Sequence, residues 1–200
     1  MRTRSSFAVL AAAGLITVGL ITAGLIAFPA WAQQDEAAIV QKRNEVREMA
    51  RESLAALYEV APGARHAVEH AAGYAAFSTF GIKIFFAGGT TGKGVAVNNR
   101  THRDIFMKLV QVQAGLGLGV KKDRLIFVFE TQNALLAFVN QGWEFGGQAS
   151  AAAMVADQGG TFAGAVSVSP GMYVYQLTES GLSASLTIGA TKFFKDDDLH

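Results

Sequence analysis

The chain has 200 residues, with 17 basic and 16 acidic side chains and no cysteine. A near-neutral balance gives no footing for a nucleic-acid partner, and without disulfides the fold must rest on a core of its own. Charged residues make up 16% of the chain, below the ~25% of ordinary globular proteins, which points to a surface that is apolar, glycine-rich or both and that meets a lipid or a partner.

The first 32 residues read as an export signal. Arg2 and Arg4 form a positive start, residues 7 to 28 carry no charge, and Pro29 then breaks the run. Ala30-Trp31-Ala32 offers small residues at the two positions a signal peptidase reads. Cleavage is expected after Ala32, giving a periplasmic or secreted protein that begins at Gln33. Twenty-two uncharged residues in a helix would reach about 33 Å, so an uncleaved N-terminal membrane anchor is the alternative. The mature part has 168 residues (200 less 32) and 15 basic against 16 acidic groups. It is expected to form one domain, 33–200.

From Asp35 to about Glu59, Ile39, Val40, Val46, Met49, Leu54, Leu57 and Tyr58 recur mostly at three and four among charged residues, which predicts an amphipathic helix. Ala61-Pro62-Gly63 ends it, and a short second helix is expected over about 64–72. After Gly73 the texture becomes short apolar or alternating runs separated by glycine. Strands are predicted near 74–79, 82–87, 93–98, 105–113, 115–120 and 124–130. A short helix follows over 131–142, then strands near 145–154, 161–168, 172–178 and 182–194. Ser169-Pro170-Gly171 and Glu179-Ser180-Gly181 supply turns. Helices first and strands afterwards predict an α+β fold: N-terminal helices on a glycine-rich, strongly curved, mainly antiparallel sheet, barrel-like or sandwich-like. The strand glycines then serve tight bends or close backbone approach.

"FFAGGTTGKGVAV", 85 to 97, tempts a nucleotide reading. A phosphate-binding loop needs glycine five residues before Gly92-Lys93 and a hydroxyl after the lysine. Here Ala87 and Gly94 stand at those places. The run reads instead as one hairpin of the sheet.

His66-Ala67-Val68-Glu69-His70 has the spacing of two zinc ligands one helical turn apart, with Glu69 able to polarise a water. Only the scattered Glu130, Glu144 and Glu179 could complete such a site. The plainer reading is the polar face of an alanine-rich helix. Arg100, His102 and Arg103 crowd a polar turn that could hold an anion. Lys121, Lys122 and Arg124 read as a charged hairpin tip. Together with Lys93 and Arg103 they would make a basic patch for anionic headgroups if they faced the same way. No nucleophile arrangement stands out, and no cofactor is expected.

Ala72-Gly73-Tyr74-Ala75-Ala76-Phe77, Gly92-Lys93-Gly94-Val95, Gln113-x-Gly115-x-Gly117, Val128-Phe129 and Ser180-Gly181-Leu182-Ser183-Ala184-Ser185-Leu186-x-x-Gly189-Ala190 resemble, in that order, the SYLF domain, also called the Ysc84 or Las17-binding family. The resemblance covers about residues 45 to 194. It implies a non-enzymatic lipid-binding module, exported in bacteria and peripheral to an envelope membrane, with anionic phospholipids as partners. Lys93 matches the lysine of the family's Gly-Lys-Gly. Ala76-Phe77-Ser78 stands where members usually have Val-Phe-Pro, and an acidic tail replaces the usual aromatic-glycine ending. Eukaryotic members are associated with actin, a partner that a periplasm lacks. A structural or protein-interaction module of the envelope, pairing through sheet edges, and a zinc hydrolase are the other readings the residues allow.

Overall fold

The structure, a computed structural model, describes residues 30–145, 154–155, 160–183, 185–186 and 190–200. The expected export signal lies outside the described residues as far as Pro29. Ala30 already opens helix α1, Ala30–Val60. Among the described residues, no helix is long and apolar enough to cross a membrane.

In α1, Val46, Ala50, Ser53 and Leu57 are buried at spacings of four, three and four, one stripe of a helix. Ser53 can sit in that stripe because its hydroxyl donates to the Met49 carbonyl at 2.7 Å. Pro62 restricts Ala61 and ends the helix. Helix α2, Gly63–His70, buries Ala64, Ala67 and Val68. Its last carbonyls are satisfied from outside: the Asn99 side chain donates to Val68 and Ala71 oxygens at 2.7 and 3.0 Å. Helix α3, Gln132–Gln141, is capped by the Thr131 hydroxyl, which accepts from the Ala134 N–H.

Two long strands dominate the rest: β1, Gly73–Asn98, and β2, Arg103–Phe129. They pair antiparallel from Gly73↔Phe129 to Asn98↔Arg103, with one irregularity between Phe85 and Ala87. Residues 99–102 form the turn between them. Shorter strands follow: β3 Trp143–Phe145, β4 Met154–Val155, β5 Val166–Ser169, β6 Met172–Thr178, β7 Gly181–Leu182, β8 Ser185–Leu186 and β9 Ala190–Lys195. The main sheet runs β3-β9-β2-β6-β5, with β1 on β2 and β7 on β6; β4 and β8 pair separately.

Each long strand has two arms. The first arm of β2, Met107–Val112, pairs with β9, and its second, Arg124–Phe129, pairs with β6. The arms of β1 lie side by side between them. The Asn99 N–H donates to the Ala72 carbonyl at 3.1 Å. A Cβ on Gly92 would come within 2.7 Å of the Ser78 carbonyl oxygen, and one on Gly94 within 2.5 Å of that of Ala76. A ribbon turned back on itself in this way curves strongly. The result is the expected α+β fold with N-terminal helices on a curved antiparallel sheet.

The expected strand breaks are corrected in three places. The separate strands at 74–79, 82–87 and 93–98 are one strand, and so are those at 105–113, 115–120 and 124–130. Glycine there admits a neighbouring arm rather than ending the strand. Gly92-Lys93-Gly94 lies inside β1, not in a hairpin turn, and Lys121 to Arg124 lies inside β2, opposite Ser78 to Gly81. The strand expected at 161–168 begins at Val166, since Gly160 and Gly164 turn the chain at positive φ. Of the strand expected at 145–154, residues 146–153 lie outside the described residues.

The sheet carries a core on each face. On one side Ala76, Val95, Phe106, Ile126, Val128 and Tyr175 pack with α1 and α2. On the other, Phe77, Phe127, Phe129 and Phe193 pack with Phe138 of α3. The rings of Phe77 and Phe193 meet edge-on at 5.1 Å, the favoured aromatic geometry.

Candidate functional site

Alternation along a strand decides where the candidate lysines point. Gly92 and Gly94 face the α3-side core, where a Cβ on Gly94 would run into the Phe77 ring and one on Gly92 would stand 2.9 Å from Leu109. Lys93 between them therefore projects to the opposite, α1-bearing face. The two glycines of the motif serve the core behind, and the lysine is what the strand presents in front.

Helix α1 covers only part of that face. Past its N-terminal half a cavity of about 610 Å³ opens between α1, β1, β2 and the C-terminal segment. Its apolar lining includes Val46, Met49, Phe80, Leu109, Val110 and Phe194. Four lysines also line it: Lys42 from α1, Lys93 from β1, and Lys108 and Lys122 from β2. Strand register brings the last three together. Lys93 is opposite Lys108, and Phe80 is opposite Lys122. The close approach of the two β1 arms sets Gly92 and Gly94, on either side of Lys93, against the carbonyls of Ser78 and Ala76. Beyond the cavity the sheet bears exposed apolar side chains, Ile82, Val112 at 69% and Val120 at 64% exposure.

The lysines are not equivalent. Lys108 is held at 2.7 Å by Asp196 and at 2.6 Å by Asp198. The hydrogen bonds to Asp196 and Asp198 raise its pKa above the ordinary 10.5, and the bond from Lys108 holds the Asp198 carboxyl below the ordinary 3.8. Asp196 is buried and opens a short 3-10 turn, Asp197–Leu199, whose Leu199 joins the α1-side core. The acidic tail is thus a built cap rather than a loose end. Lys93 and Lys122 are exposed and, among the described residues, make no ion pair.

The other candidate residues are placed elsewhere. Arg124 shares the face of Lys122 but reaches Glu52 of α1 at 3.7 Å. Lys121 projects to the opposite face and pairs with Asp123 at 2.9 Å. Arg100 and His102 sit in the turn at the far end of β1, with Arg103 just after it. There the Asn98 side chain accepts from the Arg100 and Thr101 N–H groups. The seven candidate contact residues therefore divide, and of them only Lys93 and Lys122 reach the cavity. Lys42 and Lys108 were not legible as site residues. Lys42 looked like any cation on a polar helix face, and the register that pairs Lys108 with Lys93 is a long-range fact.

On α2 the His66 and His70 rings lie 3.9 Å apart, and Nδ1 of His70 is 2.9 Å from the His66 carbonyl oxygen. Glu69 pairs with Arg65 at 3.6 Å. Among the described residues, no three His, Cys, Asp or Glu side chains gather where they could hold a metal ion.

No family model matches the chain. It is similar to beta cell expansion factor A of Aeromonas veronii, with 31% identity over 165 residues, which are 80% of this chain and 59% of that protein. The chain thus spans less than two thirds of the length of this curated relative.

Proposed function

We propose that the protein is an exported, non-enzymatic lipid-binding module of the SYLF type that docks peripherally on an anionic envelope membrane. The observation that carries this reading is the pairing of an apolar face with uncompensated cations. Phe80, Ile82, Val110, Val112 and Val120 are exposed on the sheet face that also presents Lys93 and Lys122. Apolar burial contributes about 25 cal/mol per Å², and a lysine near an anionic surface about 1 kcal/mol. A few of each give weak, salt-sensitive attachment.

The β5 edge supports the lipid reading over a protein-pairing one. Val166–Ser169 has four residues, and an edge strand so short offers little template for another chain. The test is co-sedimentation with anionic and neutral vesicles at low and high salt, beside Lys93→Glu. Binding to anionic vesicles that falls with salt and weakens in the variant is expected. Equal retention by neutral vesicles at every salt concentration would count against a cationic contact, and no binding to either would end the membrane reading in favour of a protein partner.

A further inference from the structure

We propose that the cavity between α1 and the β1–β2 face is a binding site for one molecule of a monoacyl anionic lipid, its chain on the apolar lining and its head between Lys93 and Lys122. This deepens the membrane reading and rests on it, but it is a different claim: a stoichiometric site rather than an adhesive surface.

Three observations lead to this occupant. The first is size. A volume of about 610 Å³ falls in the usual range of small-molecule sites. A site of that size between α1 and one face of the sheet suits a single acyl chain.

The second is the separation of chemistry within the cavity. Phe80, Val110 and Phe194 from the sheet face Val46 and Met49 from α1, so a chain laid there would lose water on two sides. The third is charge. The lining holds four lysines and one glutamate, Glu45. Lys108 is already neutralised by Asp196 and Asp198. Lys42, Lys93 and Lys122 remain without an ion pair among the described residues, so an anionic head is favoured there over a cationic or zwitterionic one.

The test is titration of the full chain with oleate below its micelle concentration, followed by calorimetry and native mass spectrometry, with neutral-headed lysophosphatidylcholine as comparison. One oleate per chain is expected, bound at least tenfold more tightly than lysophosphatidylcholine. Val110→Trp, which fills the cavity and leaves every lysine in place, should weaken oleate at least tenfold. Lys93→Gln with Lys122→Gln, two exposed changes that spare the core, should also weaken it about tenfold or more. Residues 1–29 are the same in all three chains, so differences among them report the cavity. Absence of one-to-one binding, or binding untouched by the lysine pair, overturns the proposal. Vesicle sedimentation of the same preparations separates the two claims. Vesicle binding without an oleate site leaves the membrane reading standing and removes this one; an oleate site without vesicle binding does the reverse.

Discussion

Lys93 of β1 stands directly opposite Lys108 of β2 in the antiparallel register. Like charges in that relation are destabilising by about 0.2–1 kcal/mol, less when exposed to solvent. Asp196 and Asp198 neutralise Lys108 and so make the pair tolerable. With two carboxylates on one ammonium, Lys93 meets no net positive charge there and, being exposed, adds little to the fold through charge. Lys93→Gln should leave the urea midpoint unchanged or slightly higher while weakening attachment to anionic vesicles several-fold. A clear fall in the midpoint would instead make Lys93 a structural residue and remove it from the contact surface.

The glycines beside it behave oppositely. A Cβ on Gly94 would run into the Phe77 ring and come within 2.5 Å of the Ala76 carbonyl oxygen, with buried backbone that cannot step aside. Gly94→Ala should therefore cost about 1–3 kcal/mol, the range of an overpacked core. Gly63 is the control. Nothing lies within 4 Å of a Cβ placed there, and alanine favours a helix over glycine by up to ~1 kcal/mol. Gly63→Ala should be neutral or stabilising in the same urea experiment. If Gly94→Ala matched it, the two arms of β1 would not lie as close as described.

These glycines also explain what the sequence could and could not convey. The α1 helix, with Val46 and Leu57 on its core face, is a local pattern and was legible. So was the fold class, because helices came first and alternating runs afterwards. Strand ends were misplaced because a glycine that admits a neighbouring backbone looks, in one dimension, like a glycine that ends a strand. Lys93 was picked out for its motif, but its partner Lys108 sits in "DIFMKLVQV", where nothing local sets it apart. Lys121 and Lys122 are adjacent in sequence and were grouped together. The pleat sends them to opposite faces.

The aromatic cluster behind the sheet gives a third expectation. The Phe138 ring lies 5.0 Å from that of Phe129, 5.1 Å from Phe127, 5.6 Å from Phe193 and 6.2 Å from Trp143. Phe138 is fully buried, so Phe138→Ala should cost about 3–5 kcal/mol. That is a large share of the 5–15 kcal/mol that holds a typical domain. Near-ultraviolet circular dichroism should lose the Trp143 signal at a lower temperature than in the parent. A midpoint within about 1 kcal/mol of the parent would mean that α3 does not anchor this face.

The acidic tail should dock in a pH-dependent way, and its sign follows from two shifts. Asp198 has its folded pKa below the ordinary 3.8 because Lys108 hydrogen-bonds to it. Its contribution is complete above 3.8 and is lost as pH falls through the lower folded value. Lys108 has its folded pKa above 10.5 through Asp196 and Asp198. Its contribution is complete below 10.5 and is lost as pH rises through the higher folded value. Between these limits docking should be flat. The reporter is the Leu199 N–H, which donates to the Asp196 carbonyl at 3.0 Å. Its exchange protection, corrected for intrinsic rates, should hold across neutral pH and decline at the acid end. Asp198→Asn should give weaker protection at neutral pH and a smaller acid-side decline. An unchanged acid limb in that variant would show that Asp198 is not the group that ties the tail to Lys108.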